Sequence, residues 1–170
     1  MPVKHLHVAL CAVLPLLACS PESGEATTTE PISLCGPSKG TVAAVIDGDT
    51  IVLGSGEKVR YLMIDTPEIT GGKNDCFGEQ ARAYNEELVL GQEVTLTYDV
   101  ECTDRYDRLL AYVEAPDGEM NTLMLERGYA CLLYLPPNGR ERESEFATLE
   151  LEARQSGEGM WGACSEVTCD

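Results

Sequence analysis

The sequence predicts one small α+β domain built on a curled antiparallel sheet. Beyond residue 39, short β-prone runs separated by turn residues come first, and helical periodicity appears mainly later in the chain. No internal repeat or second domain is visible. A chain of 170 residues is long enough to bury the core of one such domain.

Five strands are predicted from short apolar runs bounded by turn residues. They cover residues 41–46, 50–53, 58–64, 93–98 and 109–113. The turn at 54–57 joins the second strand to the third. The segment 66–77 contains Pro67 and the pair Gly71-Gly72, so it is too broken for regular structure.

Three helices are predicted from apolar residues at helical spacing. They cover residues 79–90, 121–127 and 140–155. Gly91 and Gly128 are suitable stops for the first two, and Asn121 can cap the second. The third helix places Phe146 and Ala153 on one face and carries several glutamates on the remaining surface.

The first 18 residues have the features of a bacterial lipoprotein signal peptide. Lys4 gives a basic start, and the apolar run from Val8 to Leu17 is too short to span a bilayer. The run ends in Leu16-Leu17-Ala18-Cys19, which resembles a lipobox, where cleavage leaves Cys19 as an acylated N-terminus. A plain signal peptide cut nearby is the alternative, and the small residue directly before Cys19 disfavours it.

The predicted lipid anchor leads into a polar segment. Residues 19–34 are rich in Ser, Thr, Glu and Pro, which predicts a flexible tether. The folded domain is then 35–170. We expect an exported, membrane-anchored lipoprotein that faces the periplasm or the cell exterior, with a monomeric domain held at the membrane through Cys19.

The cysteines of the domain suggest disulfides. They are Cys35, Cys76, Cys102, Cys131, Cys164 and Cys169. An even number in an exported chain favours disulfides, although the sequence does not choose among the pairings. A zinc site is the rival interpretation, but there is no CxxC motif and both histidines lie in the signal peptide.

The charge of the chain is strongly negative. The formal net charge is −17, whereas general affinity for nucleic acid comes from Lys and Arg that release counterions from the phosphate backbone. Any activity on nucleic acid must therefore rest on a local site.

Two acidic clusters are candidates for such a site. Asp47-Gly48-Asp49-Thr50 joins the first two strands and by itself is typical of a tight turn. Asp65-Thr66-Pro67-Glu68 follows the third strand, and the intervening hairpin can bring it back beside Asp49. Converging carboxylates with a backbone carbonyl suit a hard divalent cation, so the clusters predict a metal site.

Two arginines accompany these clusters. Arg60 lies on the same predicted strand as Asp65, and Arg108 precedes the fifth strand. A guanidinium binds phosphate oxygens in pairs and stays charged at all relevant pH values. The alternative is that each arginine only pairs with one of the many carboxylates nearby.

Four segments together resemble the staphylococcal nuclease-like family. They are Val45-Ile46-Asp47-Gly48-Asp49-Thr50, Arg60-Tyr61-Leu62-Met63-Ile64-Asp65-Thr66-Pro67-Glu68, Phe77-Gly78-Glu79-Gln80-Ala81 and Thr103-Asp104-Arg105-Tyr106-Asp107-Arg108-Leu109-Leu110-Ala111-Tyr112. Their order and spacing carry the resemblance, which covers roughly residues 39–161.

The resemblance implies a five-stranded OB-fold-type β-barrel with three helices. It implies that Asp49 and Asp65 bind Ca²⁺ through their carboxylates and that the Thr66 carbonyl is a further ligand. Glu68 would orient or deprotonate the attacking water.

The same resemblance implies the residues that contact substrate. Arg60 and Arg108 would hold the phosphate, and Arg105 and Tyr106 match positions that contact a terminal phosphate. Tyr134 matches a nucleotide-contacting tyrosine if one residue is deleted before Pro136-Pro137. The implied function is calcium-dependent hydrolysis of phosphodiester bonds in DNA and/or RNA, leaving 3′-phosphate ends.

The sequence departs from the family pattern at two places. At position 107 the family usually has a small residue, whereas Asp107 puts a carboxylate beside Arg108. Asp tolerates the left-handed backbone conformation, so the turn itself can be kept. The last helix is acidic, whereas it is basic in well-known members. Two other functions stay open at this stage: a non-catalytic OB-fold binding module, and a surface lipoprotein with a structural role.

Overall fold

The structure is a computed structural model that describes residues 1–2 and 34–167. Nearly all of the predicted signal peptide and of the tether lies outside these residues, as do Cys19 and Cys169, so what the sequence predicts for them stays a prediction. Within the described residues, none of the helices has the length and apolar character needed to cross a bilayer.

The described chain begins with four strands, and the helices lie among and after the later strands. The strands are β1 (Lys39–Val45), β2 (Thr50–Leu53), β3 (Lys58–Tyr61), β4 (Ile64–Asp65), β5 (Glu93–Thr103), β6 (Leu109–Ala115), β7 (Gly118–Glu119) and β8 (Cys131–Leu132). The helices are α1 (Gly78–Val89), α2 (Met120–Glu126), α3 (Glu143–Ser156) and the single turn α4 (Met160–Ala163).

Five strands close into a barrel. They follow the order β3-β2-β1-β5-β6, and β6 pairs back with β3. The other neighbours are antiparallel, whereas the closing pair is parallel, with Arg60 opposite Leu110. The expected five-stranded OB-type barrel with helices is therefore confirmed, and the closing pair corrects the expectation of a purely antiparallel sheet. Closure removes the exposed edges that an open sheet would leave.

The hydrophobic core fills the barrel and the space beneath the helices. It contains Ile51, Val59, Met120, Met124 and Phe146, all of them fully buried. α3 buries Phe146 and Ala153, which confirms the apolar face predicted for this helix. α3 begins at Glu143, three residues later than predicted, because the chain through 142 forms turns instead.

The predicted third strand is broken in two. Residues 58–64 read as one apolar run, but β3 ends at Tyr61, and Met63 has a φ of 67°. The guanidinium of Arg60 stabilises the bend, because its Nη1 donates to the carbonyls of Tyr61 at 2.7 Å and Ile64 at 2.6 Å. β4 then pairs with β8 rather than continuing β3. The position of Asp65 thus depends on the pairing of β4 with β8, a contact between distant residues that the periodicity of the sequence does not predict.

Asn121 is not a helix cap, contrary to prediction. It is fully buried in the first turn of α2. Its side-chain amide donates to the carbonyl of Leu62 at 2.7 Å, and its Oδ1 accepts from the N–H of Val113 at 2.9 Å. Asn121 therefore joins α2 to β6 and to the bend after β3, satisfying backbone groups that the bend would leave unpaired.

The predicted disulfides are present, and the fold decides their pairing. Cys35 bonds Cys102, and Cys76 bonds Cys164 across a sequence separation of 88 residues. Cys131 is also disulfide-bonded. The first bridge fastens the start of the domain to β5, and the second joins the segment before α1 to the end of α4.

Candidate active site

One cavity collects most of the residues that the sequence singles out. It has a volume of about 280 Å³. Its lining residues are Asp47, Asp49, Arg60, Asp65, Thr66, Glu68, Arg105, Arg108 and Leu133. These residues come from the turn before β2, from β3, from β4 and the segment after it, from the turn before β6 and from the residue after β8. The fold therefore brings together parts of the chain that are far apart in sequence.

Arg60 stands at the centre of this cavity wall. Its Nε lies 3.0 Å from an oxygen of Asp49, and its Nη2 lies 2.8 Å from an oxygen of Asp65. Only 9% of Arg60 and 4% of Asp49 are exposed. Buried charges must be paired and hydrogen-bonded to be tolerated, and here one guanidinium pairs with both carboxylates. The two acidic clusters therefore meet, as the sequence predicted.

Asp49 also ties the two clusters together directly. Its Oδ2 accepts from the N–H and from the hydroxyl of Thr66, both at 2.9 Å. This approach is so close that a Cβ at Gly48 would lie 2.6 Å from the Thr66 side chain. Gly48 is thus required for close packing, which is a stronger constraint than the turn that the motif alone predicted.

Asp47 is a further site residue, to which the sequence motif assigns no role of its own. Its carboxylate lines the same cavity and accepts from the N–H of Asp49 at 3.1 Å. Burial and the negative charge of Asp49 raise the pKa of Asp47 from 3.8 to about 7. The motif Asp47-Gly48-Asp49 contains the residue, but Asp is common in tight turns, so the motif alone does not indicate that Asp47 belongs to the site.

The cavity offers the oxygen donors that a hard divalent cation prefers. Four carboxylates line it, those of Asp47, Asp49, Asp65 and Glu68. Over residues 1–2 and 34–167, however, no three acidic, histidine or cysteine side chains converge closely enough to hold a metal by themselves. The donors suit Ca²⁺, which accepts oxygen ligands in flexible geometry, with water or substrate oxygens completing a set based on two carboxylates.

Glu68 lies at the rim of this cavity and is held by its own loop. Its Oε1 accepts from the N–H of Thr70 at 2.7 Å and from the Thr70 hydroxyl at 2.6 Å. Burial by itself would raise the pKa of Glu68, but these hydrogen bonds, the N–H of Ile69 and the charge of Lys73 together lower it. The carboxylate is therefore ionised at neutral pH.

Arg108 is presented by a tight turn that Asp104 organises. Oδ1 of Asp104 accepts from the N–H groups of Tyr106 at 2.9 Å and Arg108 at 3.0 Å. Oδ2 accepts from Nε of Arg108 at 2.7 Å. Asp107 adopts a φ of 60°, which is the left-handed conformation that the sequence suggested it would tolerate. Both arginines thus have carboxylate partners, yet both also line the cavity.

A second, larger cavity of about 490 Å³ adjoins the first and shares Arg60, Arg105, Arg108 and Leu133 with it. Tyr106 lines this second cavity and is 62% exposed. Arg105 donates to the Tyr106 hydroxyl at 2.7 Å and lies 4.8 Å from the centre of its ring. Arg105 thus lines both cavities and Tyr106 lines the larger one, and their contact with a terminal phosphate stays a prediction.

Tyr134 is placed differently from the other predicted residues. Its side chain is partly buried and packs against the core, and it does not line either of the two cavities. Leu133 and Leu135 line the larger cavity instead. Alternate residues of an extended segment point to opposite sides, so a shift of one residue exchanges these roles. Contact of Tyr134 with substrate stays a prediction.

Comparison with known proteins agrees with this geometry. The family model described as staphylococcal nuclease homologue matches residues 58–163. The chain is 36% identical over 135 residues to endonuclease YncB of Bacillus subtilis, covering 75% of this chain and 64% of the relative. It is 37% identical over 106 residues to a thermonuclease of Staphylococcus intermedius, covering 59% and 63%.

A further relative is matched over most of its length. The chain is 36% identical over 138 residues to an uncharacterized endonuclease of Escherichia coli O157:H7, covering 79% of this chain and 84% of the relative. By contrast, the chain spans 64% of YncB and 45% of the prophage-derived endonuclease YokF of Bacillus subtilis, less than two thirds of either. A family model that matches more than half of the chain, together with these relatives, shows that the chain belongs to the staphylococcal nuclease homologue family.

Proposed function

We propose that this protein is a calcium-dependent nuclease that hydrolyses phosphodiester bonds in DNA or RNA. The observation that carries the proposal is the lining of the smaller cavity. Arg60, Arg108 and Glu68 line it together with the carboxylates of Asp49 and Asp65. Metal-assisted hydrolysis of a phosphodiester uses three kinds of group, and all three are present here. They are cationic N–H donors for the phosphate, an ionised proton acceptor for the water, and oxygen ligands for a cation. The names of the relatives, endonuclease and thermonuclease, support the same proposal.

The arginines stabilise the charge that develops during attack. An in-line attack on phosphorus builds negative charge on the equatorial oxygens, and fixed guanidiniums beside them stabilise the transition state more than the ground state. Arg60 is already fixed by Asp49, Asp65 and two backbone carbonyls. Arg108 is held by Asp104 and is more exposed, so a substrate phosphate can reach it from solvent.

Calcium bound by Asp49, Asp65 and the Thr66 carbonyl would supply further positive charge at the phosphate. Glu68 accepts the proton of the attacking water, or orients that water, which contributes about 10² to 10⁴-fold in rate. The water oxygen forms the new bond to phosphorus, the bond from phosphorus to the 5′ oxygen breaks, and the leaving oxygen takes up a proton. The products then carry 3′-phosphate ends, as the family resemblance implies.

The strong acidity of the chain is compatible with this activity. At physiological ionic strength the screening length is about 8 Å, so remote glutamates act weakly on a phosphate that contacts Arg60 and Arg108. The acidic face of α3 offers no surface for a nucleic-acid backbone. We propose that affinity comes from the cavity itself, with slow association as the consequence.

We also propose that the protein is exported and anchored through an acylated Cys19. The disulfides of the domain support export, because such bonds persist in oxidising compartments. Expression of the full chain with radiolabelled fatty acid should label the protein at the membrane, and Cys19→Ser should abolish the label. A labelled Cys19→Ser variant would contradict the assignment.

The nuclease proposal is tested with purified protein and DNA or RNA substrates. Cleavage should require calcium, stop on addition of a chelator and leave 3′-phosphate ends. Glu68→Gln should lower turnover by about 10²-fold or more while binding is kept, and Asp49→Ala should raise the calcium requirement. Glu152→Gln, an equivalent change on the exposed face of α3, is the matched control and should be fully active. Calcium-independent cleavage, or an active Glu68→Gln, would contradict the proposal.

A further inference from the structure

The carboxylate of Glu68 is held by a residue outside the cavity. Both the N–H and the hydroxyl of Thr70 donate to the same oxygen, Oε1, at 2.7 and 2.6 Å. Hydrogen bonds to a charged acceptor at such distances are among the strong ones. Glu68 lines the cavity, whereas Thr70 is not among the residues described as lining it. Any effect of Thr70 on the reaction must therefore pass through Glu68.

The backbone of Glu68 is fixed as well. Its N–H donates to Oδ2 of Asp75 at 3.3 Å, and its carbonyl accepts from the N–H of Asp75 at 3.0 Å. The next residue, Cys76, is bonded to Cys164. Residues 68–75 thus form a loop whose two ends are hydrogen-bonded to each other. The disulfide of Cys76 then ties the end of this loop to Cys164, near the C-terminal end of the domain.

We propose that Thr70 is a positioning residue for the attacking water, and that it acts by fixing the carboxylate of Glu68 through Oε1 while Asp75 holds the backbone. This inference rests on the proposed nuclease function. With Oε1 occupied by two donors, the carboxylate has one orientation, and Oε2 is the oxygen that receives the water. A loop residue without such support would lose rate, because a catalytic group that samples several orientations is seldom in the productive one.

The opposite role is the main competitor. The same two hydrogen bonds could hold Glu68 in a resting position from which it must be released, and removal of the hydroxyl would then speed the reaction. The direction of the change in kcat separates these two roles. A merely structural role would lower stability and leave the kinetics of the folded protein unchanged.

The test compares Thr70→Val, which removes the hydroxyl but keeps the shape, with Thr70→Ser, which keeps the hydroxyl. With single-stranded DNA and calcium, we expect kcat of Thr70→Val to fall about tenfold, KM to change less than about twofold, and Thr70→Ser to restore most of kcat. Thr148→Val is the matched control, because it removes an exposed hydroxyl hydrogen bond on α3, and it should leave both constants unchanged. Thermal melting of each variant reports on folding.

A second arm places Thr70→Val in the Glu68→Ala background. If Thr70 acts through Glu68, it should have no further effect there. A wild-type or raised kcat in Thr70→Val, or the same tenfold loss in both backgrounds, would overturn the inference while the nuclease function stands. An inactive wild-type protein would instead overturn the proposed function, and the inference with it.

Discussion

Replacing Arg60 by alanine should destabilise the fold far more than replacing Arg108, although both arginines line the same cavity. Arg60 is 9% exposed and pairs with Asp49, which is 4% exposed, and with Asp65. Its removal takes the positive charge of Arg60 away from both carboxylates and its N–H donors away from two backbone carbonyls. Removing one partner from a buried ion pair costs about 3 to 5 kcal/mol, so we expect a loss in that range for Arg60→Ala.

Arg108 provides the matched comparison. The side chains of Arg108 and Asp104 are 27% and 18% exposed, so water screens their interaction. After Arg108→Ala, Asp104 still accepts from the N–H of Tyr106 and from the N–H of residue 108. We therefore expect Arg108→Ala to cost about 1 kcal/mol or less. Both variants should lose most of the cleavage activity.

The assay is urea unfolding in the presence of a chelator, followed by the fluorescence of Trp161. With a slope of about 1 to 3 kcal/mol per molar urea, Arg60→Ala should lower the midpoint by about 1 M or more, and Arg108→Ala by a fraction of that. Calcium should stabilise Arg60→Ala more than the wild-type protein, because the ion restores positive charge beside Asp49 and Asp65. Equal midpoint shifts for the two variants would refute the central role given to Arg60.

Three further predictions follow from the structure. Between pH 3.8 and about 7 the folded protein keeps a proton on Asp47 that the unfolded chain releases. The free energy of unfolding of the calcium-free protein should therefore fall as the pH rises through this range. Urea titrations of Asp47→Asn should show a smaller dependence of this free energy on pH. Replacing Cys76 and Cys164 by serine should lower the free energy of unfolding by about 2 to 5 kcal/mol, because the bridge closes a long loop, and an unchanged melting temperature would contradict this. Finally, kcat/KM should depend only mildly on NaCl, whereas a steep fall would reveal a basic surface that the charge of −17 hides.

The sequence alone was a good guide to local structure. α1 spans Gly78–Val89 against a prediction of 79–90, and β2 spans Thr50–Leu53 as predicted. Such elements are set by periodicity and by the turn residues that bound them, and both of these are properties of neighbouring residues. β5 extends to Thr103, five residues beyond the prediction: its register with β6 shifts after Tyr98, and Thr103 pairs with Leu109, a pairing that no alternating pattern in the sequence records.

Residue type and order in short motifs are what made the site residues predictable, and their roles in the reaction stay predictions. The acidic clusters, Arg60 and Arg108 were recognised from residue type and order, and the structure brings them to one cavity. Tyr134 lines neither of the two cavities, because neighbouring residues of an extended segment face opposite sides, and its contact with substrate stays a prediction. The raised pKa of Asp47 is not predictable from its motif, since its main cause is burial, which no motif records.

Residue patterns alone thus predict the order of the main strands and helices, the family and the residue types that gather in the cavity. The tertiary structure alone decided the parallel closure of β3 on β6, the pairing of the cysteines, the break at Met63 and the contacts of Asn121. Each of these joins residues that are distant in sequence or depends on such a contact. Their geometry is fixed only when the barrel closes and its core excludes water.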